Sequence, residues 1–414
     1  MALVAVPVQE VGADNLPPIT NHKNHMIRIP IQPRSDWQAQ ANALGFKFHT
    51  MHGAPYWDEN AYYQFTLSQI EQDIEQPTQE LHDMLLHLID KVCNDDELMR
   101  RFAVPQSYWN MIRRSWLRRD PHLYGRFDFC YDGVSPAKLL EANYDTPTSL
   151  FESAYWQWMW LEQQVNTGKL PANSDQFNSI QEQLIARFLH IHKFNRTRTL
   201  HFSCCKNTEE DKGTIDYLRS CALEAGIRSQ FTFIEDIGIN TDNQFTDLED
   251  NPIEWCFKLY PWEFMFDDEY GQSLNHMPVQ WLEPPWKSLI SNKAILPLLW
   301  QYFPNHPNLL PAYFSDKKHM LDKNIGVVKK PIFSREGANI EIMKADKLIA
   351  KSSGGYGDEG YIYQAFKPLP KFANEHIVIG SWVIGDQPAG IGLRADPSLI
   401  TQDLSRFVPH IILN

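Results

Sequence analysis

Two short segments carry an arginine and several oxygen-bearing side chains at alternate positions. Arg126 and Asp128 lie two residues apart, and Glu141, Asn143 and Asp145 repeat this spacing shortly afterwards. Side chains alternate between the faces of a strand, so each set would share one face if both segments are strands. Mg²⁺ prefers such oxygen ligands, and an adjacent arginine can neutralise a phosphoryl group or an oxyanion. The spacing alone favours a surface hairpin with a solvated salt bridge, and the rest of the chain shifts the prediction to a metal and phosphate site.

Length and composition limit the class of protein. The chain has 414 residues, of which 43% are hydrophobic and 13% aromatic, as expected for a folded protein. This length exceeds that of a usual single core and predicts two or three lobes, with the site in a cleft between them. The formal charge of −13 argues against nucleic acid or an anionic membrane as the main partner, whereas a cationic small molecule fits it.

The N-terminal segment lacks the pattern of an export signal. Its apolar stretch, MALVAVPV, is too short for the hydrophobic region of a signal peptide, and acidic and turn residues follow it. No segment approaches the run of about 18 apolar residues that a membrane-spanning helix requires. These features predict a cytoplasmic protein with no membrane partner and leave the oligomeric state open.

Upstream of the strand pair, the sequence predicts an arm followed by helices. Residues 1–33 are rich in proline, asparagine and histidine, which predicts an arm without regular structure. Apolar residues then recur at three- and four-residue steps, which predicts a mainly helical region over 35–97 that Pro77 interrupts. A further helix is predicted over 107–117.

Downstream of the strand pair, a helix and a small α/β unit are predicted. The helix starts near residue 150 and buries the tryptophans between 156 and 160. Strand patterns at 199–204, 230–234 and 255–260 then alternate with a helical pattern at 211–225, which is typical of an open α/β sheet. No G-x-G-x-x-G or P-loop motif occurs near this unit, so its predicted role is that of a scaffold.

Lysines lie at the ends of two predicted elements in the last third. A short helix over 291–300 carries Lys293 near its start, and a strand over 325–331 ends in Lys329 and Lys330. Because side chains alternate along a strand, only one of these two adjacent lysines can face a site.

A glycine-containing loop follows these lysines. It covers 332–339, also carries a serine and an arginine, and has backbone amides that could form an anion-binding nest. A strand over 361–366 comes next. A hairpin is then predicted from 377–382 and 390–394, with its turn near Gly385.

This order of parts resembles an ATP-grasp nucleotide site, and residues 100–414 resemble the synthetase domain of the glutathionylspermidine synthase and trypanothione synthetase family. The matching segments, in order, are Arg126-Phe-Asp128, Leu140-Glu141-x-Asn143-x-Asp145-Thr146-Pro147-Thr148-Ser149, Lys258-Leu-Tyr-Pro-Trp-Glu263, Glu283-Pro, Asn292-Lys293-Ala-Ile-Leu-Pro-Leu-Leu-Trp, Lys330-Pro-x-x-x-Arg335-x-Gly337-x-Asn339, Tyr363-Gln364 and Leu393-Arg394-Ala-Asp396.

The resemblance implies an α/β fold with α+β lobes, made of a pre-ATP-grasp domain and ATP-grasp nucleotide-binding lobes. The expected division is an N-terminal arm and helical region over 1–120, a strand pair with metal and substrate ligands over 121–195, a small α/β domain over 196–282, and the nucleotide-binding lobes over 283–414.

The resemblance also implies roles for individual residues. The expected Mg²⁺ ligands are Asp128, Glu141 and Asn143. The expected catalytic residues are Arg126, at the carboxylate that is activated, and Arg394. The expected ATP-binding residues are Lys293, Lys330, Ser334, Gly337, Gln364, Ala365 and Phe366. The expected residues for a thiol-peptide substrate are Thr146, Thr148 and Ser149. Each has a structural alternative; Lys329 could replace Lys330, and Glu263 and Glu283 could be ordinary turn or helix acids.

The implied activity is that of an ATP- and Mg²⁺-dependent carboxylate–amine ligase that forms an amide through an acyl phosphate. Its partners would be a peptide-like carboxylate and an amine such as a polyamine. The amidase domain that bifunctional members of the family carry is not expected here. The alternative function is a catalytically silent ATP-binding regulator or scaffold derived from such a ligase.

Overall fold

The computed structural model describes residues 26–51, 53–401 and 405–413. Most of the predicted N-terminal arm lies outside these residues. The prediction is wrong for Ile27–Pro30, which forms a strand with Ala61–Phe65. Ala61–Phe65 also pairs with His410–Ile412, so segments from the two ends of the described chain share one sheet.

The described residues contain twenty-two strands. In chain order these are β1 Ile27–Pro30, β2 Thr50–Met51, β3 Ala54–Pro55, β4 Ala61–Phe65, β5 Tyr124–Cys130, β6 Lys138–Asn143, β7 Leu200–Cys204, β8 Ser229–Phe233, β9 Gly238–Ile239, β10 Phe245–Thr246, β11 Trp255–Leu259, β12 Gln280–Leu282, β13 Ala312–Phe314, β14 Val327–Pro331, β15 Glu341–Lys344, β16 Lys347–Lys351, β17 Tyr361–Ala365, β18 Lys371–Phe372, β19 Glu375–Ile384, β20 Gln387–Asp396, β21 Arg406–Val408 and β22 His410–Ile412.

The same residues contain ten α-helices: α1 Trp37–Ala43, α2 Gln76–Cys93, α3 Asp96–Arg101, α4 Trp109–Leu117, α5 Gln157–Asn166, α6 Ile180–His192, α7 Glu209–Glu224, α8 Trp262–Asp267, α9 Lys287–Ile290 and α10 Ile295–Tyr302. Two π-helical turns, Gln69–Glu75 and Glu152–Trp156, lead directly into α2 and α5. Short 3₁₀ turns are Lys47–His49, Gln106–Tyr108, Ile234–Asp236, Gly271–Asn275 and Ser315–Met320. None of the helices in the described ranges is both long and apolar enough to cross a membrane.

Three sheets position the candidate site. The largest has the order β21-β20-β19-β5-β6, with β18 paired to β19. An antiparallel sheet has the order β13-β17-β14-β15-β16, and a parallel sheet has the order β12-β11-β7-β8. The parallel sheet and α7 confirm the predicted α/β unit, to which β12 adds an edge strand. The pairing of β19 with β20 confirms the predicted hairpin.

The large sheet has one face for the core and one for the site. Every residue of β5 is buried. Phe127 and Phe129 pack in the same apolar cluster as Leu81 and Leu85 of α2, whose i, i+4 spacing gives that helix a buried stripe. Alternation along β5 therefore sends Arg126 and its neighbours at even positions to the opposite face.

The predicted helical region over 35–97 is only partly helical. Strands β2 to β4 occupy its middle, where glycines with positive φ (Gly45 and Gly53) permit turns and aromatic residues favour strands. Pro77 does not interrupt a helix. It lies at the second position of α2, directly after the π-helical turn Gln69–Glu75, so the helical run continues through the proline and changes there from π to α geometry.

The tryptophans of the helix near 150 do not all belong to the core. Trp156 and Trp160, four residues apart, are fully buried as predicted. Trp158 is 45% exposed, so the prediction is wrong for this residue. Helical periodicity places it on the face opposite its two neighbours.

A buried ion pair joins the large sheet to the segment that follows the parallel sheet. Both side chains of the pair, Glu283 and Lys287, are fully buried, with Lys287 Nζ 2.6 Å from Glu283 Oε2. Glu283 Oε1 accepts hydrogen bonds from the amides of Leu123 and Tyr124 at 3.0 Å, and Lys287 donates to the Tyr124 carbonyl. Glu283 is therefore a structural acid at the start of β5.

We expect Lys287→Met to lower the free energy of unfolding by about 3–5 kcal/mol, because it leaves the Glu283 carboxylate buried without its cation. Chemical denaturation measures this loss. Lys323→Met is the matched control, since the Lys323–Asp346 pair is mostly exposed and should contribute less than about 1 kcal/mol. Equal losses in the two variants would contradict the structural role of the buried pair.

Candidate active site

The two segments that carry the predicted metal ligands are neighbouring antiparallel strands, β5 and β6. Arg126 lies opposite Asn143, and Asp128 lies opposite Glu141. These four side chains therefore share one face of the sheet, which confirms the predicted strand pair. A bulge after Asp128 leaves Leu140 of β6 without a partner on β5.

Asp128 lies between two guanidinium groups. Arg126 Nε donates to Asp128 Oδ1 at 2.7 Å, and Arg394 Nη2 donates to Oδ2 at 2.6 Å. Gly380 of β19 lies opposite Asp128, and a Cβ at this position would lie 2.7 Å from Arg126 Cδ. The glycine thus leaves room for the arginine stem. The fold brings both predicted catalytic arginines to one carboxylate.

Glu141 is the meeting point of the two predicted ATP-binding lysines. Lys293 Nζ lies 3.1 Å from Glu141 Oε2 and donates to the carbonyl of Ser334 at 2.8 Å. Burial raises the pKa of Glu141, but Lys293 and Lys330 outweigh it and hold the pKa well below its usual range. The carboxylate is therefore charged at neutral pH, as a metal ligand must be.

Lys330 rather than Lys329 faces this cluster. Lys330 Nζ donates to Gln364 Oε1 at 2.7 Å and to the carbonyl of Leu140, the bulged residue, at 2.8 Å. Burial lowers the pKa of Lys330 to about 8, although Glu141 opposes the shift. Lys329 lies on the other side of β14, with Nζ 3.4 Å from Glu341 Oε2.

Asp128, Glu141 and Asn143 have the chemistry of a Mg²⁺ site. Asn143 Nδ2 donates to Asp128 Oδ2 at 3.3 Å and to Glu141 Oε1 at 3.2 Å, so the three side chains already meet. A half-turn of the amide would bring its oxygen to this point, and phosphate oxygens and water usually complete the shell. The described residues contain no group of three or more His, Cys, Asp or Glu that could hold a metal, so an ion here would depend on Asn143 and on ligand oxygens.

Asp145 is not part of this cluster, contrary to the spacing argument. Strand β6 ends at Asn143, so the two-residue period no longer applies. Asp145 accepts hydrogen bonds from Lys258 Nζ at 2.6 Å and from the amide of Trp262 at 2.8 Å. Since both charged groups are buried, this pair anchors the end of β6 to the parallel sheet.

The loop after β14 is tied to the strand-pair region by Arg335. Arg335 Nε donates to Glu263 Oε1 at 3.0 Å, and its Nη1 donates to the hydroxyl of Thr146. Gly337 has φ +67°, and a Cβ there would lie 2.5 Å from the carbonyl of Thr401. The hydroxyl of Ser334 is buried and makes no hydrogen bond in the described part of the chain.

A cavity of about 340 Å³ opens beside these groups. Its lining includes charged side chains from the cluster (Arg126, Asp128, Glu141, Lys330, Arg394), apolar side chains (Val328, Ile340, Ile342, Phe366, Leu399, Ile400), and Gln364, Ala365 and Gly337. The lining thus combines charged and apolar side chains. This combination suits a ligand with both a polyanionic and a flat apolar part. Lys293 and Ser334 do not line this cavity.

The three predicted substrate residues lie at different depths. Thr146 and Thr148 line the cavity, and the Thr148 carbonyl accepts a hydrogen bond from Arg126 Nη1 at 2.6 Å. Ser149 lies behind them. It is buried, has φ +67°, and its hydroxyl lies 3.0 Å from the hydroxyl of Tyr56.

Sequence reasoning missed several residues of the region. Arg335 and Glu263 occur in the quoted motifs, so their spacing could have placed them at the site. Asp211 also lines the cavity, and both Tyr56, whose hydroxyl lies 3.0 Å from that of Ser149, and Glu152 are buried. No local pattern marks these three, because each reaches the site only through tertiary packing.

Comparison with known proteins supports a common family. A family model described as glutathionylspermidine synthase pre-ATP-grasp matches residues 28–413. A protein from Haemophilus influenzae, named as an acid–amine ligase, is 40% identical over 390 residues, which cover 91% of this chain and 97% of that protein.

Two longer relatives match over much of the chain. The bifunctional glutathionylspermidine synthetase/amidase of Escherichia coli is 29% identical over 385 residues, and the match covers 86% of this chain and 60% of that enzyme. The trypanothione synthetase of Crithidia fasciculata is 28% identical over 347 residues, with 78% and 52% covered. The chain therefore matches little more than half the length of these two enzymes.

A solved structure supports the fold. The apo form of a glutathione synthetase-like effector from Globodera pallida has a TM-score of 0.53 at 9% identity, with 92% of this chain and 98% of that chain covered. Together with the pre-ATP-grasp family match, this confirms the predicted fold class. The chain belongs to the glutathionylspermidine synthase family, and the relatives named above are ligases.

Proposed function

We propose that the protein is an ATP- and Mg²⁺-dependent carboxylate–amine ligase that forms an amide through an acyl phosphate. The observation that carries this proposal is an imbalance of charge in the site. Two carboxylates, Asp128 and Glu141, are surrounded by four cationic groups: Arg126, Arg394, Lys293 and Lys330. A largely buried excess of positive charge favours a polyanionic ligand, and a triphosphate supplies one.

We assign a part of the proposed reaction to each group. Lys330, which lines the cavity, would bind phosphate oxygens, and Lys293 would add positive charge from its position at Glu141. The apolar lining that includes Phe366 would take the adenine ring. Arg126 and Arg394 would face the phosphoryl group as it moves to the substrate carboxylate, where negative charge develops. Mg²⁺, if held by the predicted ligands, would neutralise charge between the phosphates.

The substrates are inferred from the relatives. Their names imply a thiol peptide as the carboxylate and a polyamine as the amine, and a net charge of −13 is compatible with a cationic substrate. Thr146 and Thr148 would contact the peptide near the acceptor carboxylate. The carboxylate of Asp211, which also lines the cavity, would suit the amine.

Release of ADP tests the activity. The protein would be incubated with ATP and Mg²⁺ against a panel of thiol peptides, each with and without polyamines. ADP release that requires both a carboxylate and an amine supports the proposed ligase. ATP binding without ADP release for any pair would instead support the catalytically silent regulator.

ATP with Mg²⁺ should stabilise the protein, because a ligand that binds only the native state adds free energy of unfolding, about 2.7 kcal/mol at a hundred times its Kd. We expect Lys330→Met to lose most of the corresponding rise in melting temperature, since it removes a phosphate partner. Lys329→Met is the matched control on the other side of the same strand and should keep the rise. The reverse pattern would show that the phosphates bind elsewhere.

Arg126→Lys should mainly lower the turnover number, by about a hundred- to a thousandfold. Lysine keeps the charge but loses the planar guanidinium that contacts Asp128 and the developing charge. The Kd for ATP should change little, since the lysines and the apolar wall hold the nucleotide. The measurements are ATP titration and steady-state ADP release. A variant that binds ATP far more weakly but turns over normally at saturation would make Arg126 a nucleotide anchor.

A further inference from the structure

A second cavity, of about 810 Å³, lies apart from the candidate active site. Its lining comes from three parts of the chain: the last turns of α4 with the residues after them, the second half of α6 with the residues after it, and residues 274–281 with Pro285. Among the described residues, none lines both cavities. The volume is within the range of about 300–1,000 Å³ that is typical of pockets for small molecules.

Arginine side chains dominate the charge of this second cavity. Of the described residues in its lining, Asp120 is the one carboxylate. The lining also includes two histidines and five arginines, which are His190, His276, Arg114, Arg118, Arg119, Arg187 and Arg198. We call it the basic cavity. The chain as a whole has a formal charge of −13, so this excess of cations is a local feature that composition does not explain.

Carboxylates of the protein compensate only part of this charge. Arg118 Nη2 lies 2.7 Å from Asp120 Oδ2, and Arg198 Nε lies 4.0 Å from Glu254 Oε2. Within the described ranges, none of the other three arginines has a carboxylate within 4.0 Å. Because like charges that line one cavity repel one another, an anionic ligand would stabilise this arrangement.

Arg187 is attached to the backbone but keeps donors for a ligand. Its Nε donates to the carbonyl of His122 at 2.7 Å, and its two terminal nitrogens make no hydrogen bond with the described residues. Burial lowers the pKa of Arg187, although Asp386 and Glu283 oppose the shift. A half-buried guanidinium with two unused nitrogens is suited to paired hydrogen bonds with a phosphate or a carboxylate.

Arg114 and Arg119 offer further donors at the end of α4. Arg119 has φ +54°, which is uncommon for a residue other than glycine, and its Cζ lies 4.1 Å from the centroid of the Trp116 ring. Both arginine side chains are exposed, and neither makes a hydrogen bond in the part of the chain that the structure describes. A ligand could therefore bind both without breaking contacts of the folded protein.

Apolar side chains complete the lining and indicate an organic ligand. Phe194 lines the basic cavity although its side chain is 76% exposed. A simple inorganic anion would leave this ring in water, whereas a ligand with an apolar part would cover it. The other apolar residues of the lining include Met111, Leu274, Met277, Val279 and Trp281.

We propose that the basic cavity binds a small organic polyanion with adjacent phosphate or carboxylate groups. The arginines would bind the anionic groups, and the apolar side chains would contact the remainder. A nucleic acid fits less well, because the arginines line a concave cavity of limited volume and the whole chain is acidic. The inference does not rest on the proposed ligase function, since no residue with a part in that reaction lines the basic cavity.

The basic cavity adjoins the segments that attach β5. The carbonyl of His122, which accepts the hydrogen bond from Arg187, lies just before the start of β5. Pro285, two residues after Glu283 of the buried ion pair, lines the cavity. These segments meet only in the folded chain, so a ligand of the basic cavity should stabilise the fold by mass action.

Isothermal titration calorimetry with inorganic pyrophosphate and with citrate tests the inference. Lys330→Met is the background, because it removes a predicted phosphate partner from the candidate active site. At least one of the two probes should bind this protein and raise its melting temperature. Adding Arg114→Gln and Arg119→Gln should weaken that binding by about tenfold or more, because charged hydrogen bonds are lost. The probe that binds more tightly identifies the anionic group that the basic cavity prefers.

Arg100→Gln combined with Arg101→Gln is the matched control on the same background. These two arginines are exposed on α3, lie outside the basic cavity, and carry the same charge. The control should keep the affinity for the probe. An equal loss in the control would show a general effect of net charge and would overturn the inference.

Two other results would also overturn it: binding of neither probe, and an affinity that is unchanged without Arg114 and Arg119. Arg114→Gln alone removes no contact of the folded protein, so it should fold as the background does and still lose part of the affinity. This single variant keeps the test valid if the loss of Arg119 from Trp116 lowers the melting temperature. Because none of these measurements requires turnover, failure of the proposed ligase would not change their outcome.

Discussion

The structure depends on the attraction between the carboxylate of Asp128 and the two guanidinium groups on either side of it. Arg126 reaches Asp128 along β5, and Arg394 reaches it from β20, across the intervening strand β19. The large sheet therefore aligns three strands through one buried acid. Asp128 and the neighbouring Glu141 do not cancel the positive charge around them. Two arginines approach Asp128, and Lys293 and Lys330 approach Glu141. The remaining positive charge is the feature that a phosphate ligand would neutralise.

The large sheet and the antiparallel sheet of β13 to β17 meet at a bulge in β6. The bulge in β6 frees the carbonyl of Leu140, which accepts a hydrogen bond from Lys330, and the adjacent carbonyl of Leu139 accepts one from Gln364. Both donors belong to the antiparallel sheet of β13 to β17. Carbonyl groups at the bulge of the large sheet thus hold the antiparallel sheet that carries the predicted nucleotide-binding residues. Among the predicted ligands, Lys330 and Gln364 lie on this sheet and the three metal-ligand candidates lie on the large sheet, so the candidate site depends on this contact.

The sequence predicted the parts of the site that follow a local period. The alternation in β5 and β6 placed Arg126, Asp128, Glu141 and Asn143 on one face, and alternation in β14 limited the choice between two lysines. The argument failed for Asp145 because the strand ends two residues earlier. Local spacing also could not predict the contact of Tyr56 with Ser149, because these residues are 93 positions apart. The helical period over 35–97 failed where glycines and aromatic residues made short strands more favourable. Contacts such as that of Tyr56 depend on packing between segments far apart in sequence, which no local pattern encodes.

Buried charges in this protein fall into two physical classes. In the pairs Glu283–Lys287 and Asp145–Lys258, each charge has a partner at 2.6 Å, and the pairs join the start of β5 and the end of β6 to neighbouring elements. Lys330 and Glu152 differ in their partners: Lys330 Nζ donates to the Gln364 amide oxygen and to a backbone carbonyl, and neither Glu152 oxygen has a hydrogen-bond partner in the described part of the chain. A compensated pair can position strands but has little tendency to bind a ligand or exchange a proton. An uncompensated group costs stability until a ligand or a proton arrives, so its retention in a buried position is evidence for chemistry at that position.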